Sequence, residues 1–190
     1  MRVLIVDELR ERAEILREGL ERAGHEVTAH LSSALELMNA VEKSTPDIII
    51  IDTDSPSRDV LEHVVMVSRD RPRPIVMFTE DGDQASIERA FSSGVTTYIV
   101  EGLQPARVRS ILDVARARFA AEQALRDELE KTRGELAARK TIERAKGLLM
   151  ESRKLSESDA FALMRKMAMD RQTSLMELAE QIITAKKLLG

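Results

Sequence analysis

The chain has 190 residues, of which 43% are hydrophobic and 33% are charged, and its net charge is −4. This apolar content is sufficient for a packed core and excludes a globally disordered chain. The absence of cysteine excludes a disulfide framework, a thiolate zinc site and a cysteine nucleophile. The N-terminus reaches Asp7 and Glu8 too early for a signal peptide, and the longest apolar run, residues 48–51, is too short to span a bilayer. We therefore expect a cytoplasmic protein without a membrane segment.

The first 105 residues alternate between strand and helix patterns. Short apolar runs occur at residues 2–6, 25–31, 48–51, 75–78 and 97–100, and helical patterns lie between them at residues 15–23, 33–42, 60–68 and 84–92. The β-branched run at 48–51 is typical of a strand that is buried on both faces of a parallel sheet. This alternation predicts an α/β domain, with a doubly wound, five-stranded parallel sheet, over residues 1–118. From Pro105 the pattern becomes helical and extends to Glu151.

Polar residues follow three of the predicted strands. Asp7 and Glu8 end the first strand, Asp52 ends the third, and Thr79 ends the fourth. Because ligands bind at the carboxyl ends of parallel strands, we expect these side chains to share one edge of the sheet. Converging carboxylates can hold Mg²⁺, and a carboxylate between them can accept a phosphoryl group.

These residues, with Pro56 four positions after Asp52, resemble the receiver (CheY-type) domain of response regulators. The resemblance implies that Asp52 is the phospho-acceptor, with Asp54 as a weaker candidate because of its spacing to Pro56. It further assigns a receiver pocket of Asp7, Glu8, Thr79, Tyr98 and the position of Glu101, with Asp7, Glu8 and Asp52 as possible Mg²⁺ ligands. No cofactor is expected to be required.

One position departs from the receiver pattern. Receivers carry Lys-Pro after the fifth strand, whereas this chain has Glu101 and Gly102. A glutamate repels a phosphoryl group that a lysine would pair with, and a unit charge at ~4 Å is worth on the order of 4 kcal/mol at an effective dielectric of ~20. We therefore predict a degenerate receiver that serves in protein interaction rather than in phosphorylation-dependent switching.

Residues 108–139 show an imperfect heptad pattern that predicts a long linker helix or coiled coil. Its apolar seam contains Leu125, Leu129 and Leu136. The remaining a and d positions are Val108, Ile111, Ala115, Arg118, Glu122, Thr132 and Arg139. The pattern favours pairing with a second copy in a homodimer, and the alternative is a single helix that folds back on its own domain.

The C-terminal part is basic and helical. Residues 1–105 carry a net charge of −9, whereas residues 106–139 carry +2 and residues 140–190 carry +3, which places any polyanion site near the C-terminus. Ile142, Ala145 and Leu149 share one helical face, and Arg139, Lys146 and Arg153, each seven residues apart, form a basic stripe elsewhere on the same helix. Gly147 interrupts this helix at a cost of about 1 kcal/mol relative to alanine. The candidate polyanion-binding residues are Arg139, Lys140, Arg144, Lys146, Gly147, Arg153, Arg165 and Lys166. Capping boxes at Ser156-x-x-Asp159 and Ser174-x-x-Glu177 predict the starts of two further helices.

This stretch resembles the ANTAR domain, the RNA-binding output of transcription antitermination regulators, over residues 125–190. The resemblance is carried by Arg139, Ile142, Ala145–Lys146–Gly147, Leu149–Met150, Ala160–Phe161, Met164–Arg165, Ala168–Met169, Leu175 and Leu178–Ala179. DTDSPSRDV and YIVEGL look most like the NasT branch of that family. The resemblance implies that the candidate polyanion-binding residues bind RNA, at hairpin loops of leader mRNA. It also implies control of nitrate and nitrite assimilation genes and sequestration by a nitrate-sensing protein.

Two other functions stay open from the sequence. One is a phosphorylation-dependent response regulator with a DNA-binding output, which is disfavoured because Glu177 and Glu180 precede any lysine in the last helix. The other is an interaction scaffold without nucleic-acid binding. An enzyme is not expected, because no nucleophile–base pair or glycine-rich phosphate loop appears outside the receiver cluster.

Overall fold

The computed structural model describes residues 1–100 and 105–189 and divides into two compact units, Met1–Gln123 and Ala124–Gly190. The first unit contains a parallel sheet of five strands in the order β2-β1-β3-β4-β5. The strands are β1 Arg2–Asp7, β2 Glu26–Leu31, β3 Ile48–Asp52, β4 Ile75–Thr79 and β5 Thr97–Val100. The helices are α1 Arg10–Arg22, α2 Leu37–Ser44, α3 Arg58–Asp70, α4 Gln84–Ser92, α5 Pro105–Arg153, α6 Glu157–Asp170 and α7 Leu175–Leu189. The predicted five-stranded parallel α/β fold is confirmed.

The central strands are buried on both faces because helices cover each side of the sheet. Alternate residues of β1, β3 and β4 point to opposite faces, as the two-residue period of a strand requires. On one face they pack against α2, α3 and α4, including Leu37, Val41 and Val64. On the other face they pack against Leu16 and Leu20 of α1, together with the first turns of α5. This double cover explains why β3 reads as an uninterrupted apolar run.

The predicted helix at residues 33–42 begins differently in the structure. Residues Ala34–Glu36 form a 3₁₀ turn, and the regular helix α2 follows from Leu37. Ser33 caps the turn by accepting a hydrogen bond from the Leu35 amide. The helix ends at Thr45, whose φ of 42° lies in the left-handed region and stops the helical hydrogen bonding.

Helix α5 is 49 residues long, and its predicted heptad positions have two different environments, one buried and one exposed. Val108 and Ala115, which the pattern assigns to a seam between two copies, are buried in the core of the first unit with Leu112. This part of the prediction is wrong, because an apolar face with helical spacing packs on its own domain as readily as on a partner. Leu125, Leu129 and Leu136 are instead 66%, 47% and 53% exposed.

The second unit has a small core between the end of α5, α6 and α7. Its buried side chains are Ala145, Leu149, Ala160, Met164, Ala168, Leu178 and Ala179. Ser156 and Ser174 cap the starts of α6 and α7 as predicted. The box at Ser174 is complete, since Oε2 of Glu177 accepts from the Ser174 amide at 3.0 Å, whereas Asp159 accepts from the Ser156 hydroxyl at 2.6 Å. The Asp159 and Glu177 amides donate to the hydroxyls of Ser156 and Ser174, at 3.2 and 3.1 Å. Within residues 1–100 and 105–189, no helix combines the length and apolarity that crossing a lipid bilayer requires.

Candidate functional sites

An acidic pocket lies at the carboxyl ends of the central strands, where the sequence predicts it. Asp7 ends β1 and pairs in register with Asp52, which ends β3, while Thr79 ends β4. All three side chains are almost fully buried, at 1%, 3% and 1% exposure. Because β1 and β3 are adjacent and parallel and end at the same level, their two terminal carboxylates lie together where little water reaches them.

Arg12 of α1 occupies this pocket, and the sequence analysis did not identify it. Its Nε and Nη2 each donate to one oxygen of Asp7, both at 2.9 Å. Its Nε also lies 3.2 Å from Oδ2 of Asp52, and its Nη1 lies 3.5 Å from Oδ1 of Asp54. Its position in the sequence could have identified it, since Arg12 lies in the first turn of the helix that begins three residues after Asp7. A long cation at that point reaches the strand ends.

The electrostatics of the pocket depend on this arginine. Burial raises the pKa of Asp52 to about 6, an effect that Arg12 opposes and that Asp7, Asp54 and Glu80 reinforce. The bidentate hydrogen bond to Asp7 raises the pKa of Arg12 further above its already high ordinary value. The guanidinium is therefore a permanent positive charge between two acidic side chains.

Of the three predicted Mg²⁺ ligands, Asp7 and Asp52 lie together in the pocket and Glu8 does not join them. Glu8 is exposed, while Arg12 takes both oxygens of Asp7 and approaches Asp52. Across the part of the chain that the structure describes, no three acidic or histidine side chains group as metal ligands. In this arrangement the pocket fits its own guanidinium rather than a divalent cation, because a second positive charge there would be repelled.

The other pocket residues hold the surrounding loops. The Thr79 hydroxyl donates to the carbonyl of Asp54 at 2.9 Å and accepts from the Asp81 amide at 3.1 Å. The Tyr98 hydroxyl donates to the carbonyl of Asp81 at 2.8 Å. Thr79 and Tyr98 therefore fix the loops after β3 and β4, while Asp54 is an exposed side chain that only approaches Arg12. Glu101, the predicted departure from the receiver pattern, lies outside the described residues.

Lys146, a predicted RNA contact, has its charge engaged inside the protein. It is 8% exposed, and its Nζ lies 2.6 Å from Oε2 of Glu143 and 2.7 Å from Oε1 of Glu157. These hydrogen bonds raise its pKa. Because Glu157 begins α6, the ammonium group links α5 to the start of that helix. The basic stripe predicted from Arg139, Lys146 and Arg153 is therefore not one continuous exposed surface.

A different face of α5 presents free cations. Lys140, Arg144 and Gly147 are exposed at i, i+4 and i+7, whereas Ala145 and Leu149 face the core. A Cβ added at Gly147 would meet nothing within 4 Å, so no internal packing explains this glycine. In the part of the chain that the structure describes, these predicted RNA-binding cations are exposed and form no ion pair: Arg139, Lys140, Arg144, Arg153, Arg165 and Lys166.

Comparison with known proteins gives the same two-part division. The model for the response regulator receiver domain matches residues 3–113, and that for the ANTAR domain matches residues 130–183. The transcriptional regulatory protein PdtaR of Mycobacterium tuberculosis (strain H37Rv) is 31% identical over 168 residues, which cover 88% of this chain and 82% of PdtaR. The chemotaxis protein CheY of Thermotoga maritima is 27% identical over 113 residues, which cover 59% of this chain and 94% of CheY.

A solved structure supports the fold of the first unit. The signal receiver domain of a modulated diguanylate cyclase from Desulfovibrio desulfuricans G20 superposes with a TM-score of 0.56 at 23% identity, over 64% of this chain and 97% of that domain. Two family models thus cover most of the sequence, and the match to PdtaR extends across both units. The chain belongs to the response regulators that join a receiver domain to an ANTAR domain.

Proposed function

We propose that the chain is a transcription antitermination regulator that binds hairpin loops in leader mRNA and prevents a terminator from forming. The observation that carries the proposal is the exposed face of Lys140, Arg144 and Gly147, whose cations have no partner within the described residues. Unpaired lysine and arginine side chains on one helix face bind phosphates and release counterions. Membership of the ANTAR family supports RNA as the polyanion.

Gly147 adds a second reason to place RNA on this face. A glycine in a helix costs about 1 kcal/mol relative to alanine, and here the space beside it is open. The absence of a side chain lets a ligand approach the helix backbone between the two cations and the turn that follows. A phosphate backbone fits that position because it brings negative charge and little bulk.

A homodimer is part of the proposal. Leu125, Leu129 and Leu136 are exposed along one heptad seam of α5, and their burial against a second copy would remove apolar surface from water. Two copies present two RNA-binding surfaces, so an RNA with two adjacent hairpins gains affinity through effective concentration. The seam is short, and we expect the dimer to be marginal without RNA.

The receiver is proposed to act through protein contacts rather than phosphorylation. Arg12 already neutralises the pocket that a phospho-acceptor would need open, and Glu101 stands where receivers carry a lysine. The NasT-like motifs suggest that nitrate and nitrite assimilation genes are the targets and that a nitrate-sensing protein sequesters the regulator. Substitution Asp52→Asn should leave antitermination largely intact in a leader–reporter assay, whereas collapsed induction would show that the pocket is still a phosphorylation switch.

RNA binding is tested with the full chain. RNA that co-purifies from lysate is sequenced, and one two-hairpin RNA from that set is titrated at several salt concentrations beside a DNA duplex of the same sequence. We expect RNA to bind more tightly, and Arg144→Ala to weaken binding and to reduce the salt dependence by about one counterion. Lys43→Ala, an exposed cation on α2, is the matched control. Equal affinity for the DNA duplex would favour the DNA-binding alternative.

A further inference from the structure

Helix α6 presents an apolar stripe that is interrupted by a cation. Phe161 and Met169 are 39% and 75% exposed, and exposed Arg165 lies midway between them, so the three residues are spaced by four along one side of the helix. The core side of the same helix is formed by Ala160 and Met164. The buried core of the second unit does not include Phe161 or Met169.

The stripe borders a shallow groove between α6 and the start of α7. The groove has a volume of about 390 Å³ and is lined by Phe161, Arg165, Ala168, Met169, Gln172, Thr173 and Leu175. Phe161, Ala168, Met169 and Leu175 supply its apolar lining, and Arg165, Gln172 and Thr173 supply polar side chains. Pockets of this size hold small planar ligands against apolar walls with a few polar contacts.

The chemistry of the groove matches an unpaired nucleobase better than a protein helix. Unstacked loop bases bind by stacking on aromatic rings or guanidinium planes, and both kinds of surface are present here in Phe161 and Arg165. Arg165 forms no ion pair in the described part of the chain, so its charge is available for the phosphate of the same nucleotide. An apolar protein helix would bury this charge without a counter-ion, so a protein partner would have to place an acidic residue at this point.

We propose that Phe161, Arg165 and Met169 form a platform on which one base of an RNA loop stacks. The proposal rests on the RNA-binding function proposed above and assigns it a second contact of a different kind. Lys140 and Arg144 bind the phosphate backbone without reading sequence, whereas the platform on α6 contacts a base. Recognition of a loop rather than a stem follows, because only unpaired bases expose a free face.

The test uses the full chain and synthetic RNA hairpins that share one stem and carry 2-aminopurine at each loop position in turn. The loop sequence is one that the wild-type protein selects from a randomised pool. We expect wild type to quench the fluorescence at one position. Phe161→Leu should abolish that quenching and weaken binding roughly 5- to 100-fold. The salt dependence of RNA binding should be the same for Phe161→Leu as for wild type, because a stacking contact releases no counterions when it forms. Phe161→Tyr should restore both the fluorescence quenching and the wild-type affinity. Leu188→Ala, which truncates an exposed leucine on α7, is the control.

The outcomes separate this platform from the proposed function. If wild type binds no hairpin, both are wrong. If wild type binds and folded Phe161→Leu binds and quenches equally well, the platform alone is wrong. Met169→Ser serves as a second variant because Met169 is more exposed, and the same quenching is expected to fall. A loss of self-association without any loss of RNA affinity would overturn the platform and identify the groove as a protein contact.

Discussion

The guanidinium of Arg12 donates hydrogen bonds to both carboxylate oxygens of Asp7, through Nε and Nη2 at 2.9 Å each. Asp7 is buried, and the same guanidinium also lies 3.2 Å from Asp52. The positive charge beside these two carboxylates is thus supplied by the chain itself. The stability of the pocket should therefore depend on Arg12 and not on added metal.

Substitution Arg12→Gln should lower stability by about 1–3 kcal/mol, because it leaves two buried carboxylates without their counter-ion. The value is below that for a fully buried pair, since the Arg12 side chain is 30% exposed. Thermal unfolding of wild type should be the same in EDTA and in millimolar MgCl₂, whereas the variant should regain stability with Mg²⁺. Arg17→Gln, which removes only exposed pairs on α1, is the control. Strong Mg²⁺ stabilisation of wild type would contradict the role given to Arg12.

Asp52→Asn should stabilise the protein at neutral pH. Burial raises the pKa of Asp52 to about 6 from an ordinary value near 3.8, so its ionised form weakens the native state above pH 6. As the pH falls from about 6 towards 4, native Asp52 takes up a proton before the unfolded chain does, and the penalty disappears. We expect a gain of about 1–3 kcal/mol at pH 7 that vanishes near pH 4. Denaturant unfolding in EDTA across this range measures it, and a gain that is independent of pH would contradict the assignment.

Lys146 and Arg144 should separate folding from RNA binding. Lys146→Met should lower the unfolding temperature of the second unit, because it breaks the ion pairs with Glu143 and Glu157. Arg144→Met should leave that temperature unchanged and weaken RNA binding. A double-mutant cycle with Glu157→Gln isolates the pair that joins α5 to α6. If Lys146→Met weakens RNA binding at a temperature where it is fully folded, and lowers the salt dependence, Lys146 also contacts phosphate.

Leu129→Glu should reduce binding to a two-hairpin RNA more than binding to a single hairpin. Leu129 is 47% exposed in one copy, so a glutamate is tolerated by the monomer and opposed only in a paired helix. Light scattering over a concentration series, with and without the two-hairpin RNA, measures the oligomeric state directly. A wild-type protein that stays monomeric at saturation with this RNA would exclude the paired-helix arrangement.

The sheet and the pocket could be predicted because local patterns determine them. The β-branched run ending at Asp52 is typical of a buried parallel strand, and adjacent parallel strands bring Asp7 and Asp52 to the same edge. The position of Arg12 could not be derived in the same way. Its place in the first turn of α1 brings Arg12 within reach of the strand ends, but an arginine side chain is long and flexible, so only the tertiary structure decides whether it faces water or a carboxylate.

The same limit explains Lys146 and the linker helix. Helical spacing places Lys146 in line with Arg139 and Arg153, but burial beside Glu157 depends on where α6 begins relative to α5. The heptad pattern likewise does not determine which other apolar surface packs against the apolar face of the helix. Val108 and Ala115 meet their own sheet, whereas Leu129 meets none in the single chain.

The exposed middle of α5 has a consequence for backbone protection. From residue 120 to residue 137 every side chain except Gln123 is exposed, and the stretch contains Gly134. In one copy its amides are held by local helical hydrogen bonds with almost no side-chain packing, and isolated helical segments of this kind open readily. Amide hydrogens there should exchange with deuterium much faster than those of the receiver strands. A second helix packed along Leu125, Leu129 and Leu136 would slow that exchange. The exchange rate of each amide hydrogen therefore reports dimer formation residue by residue.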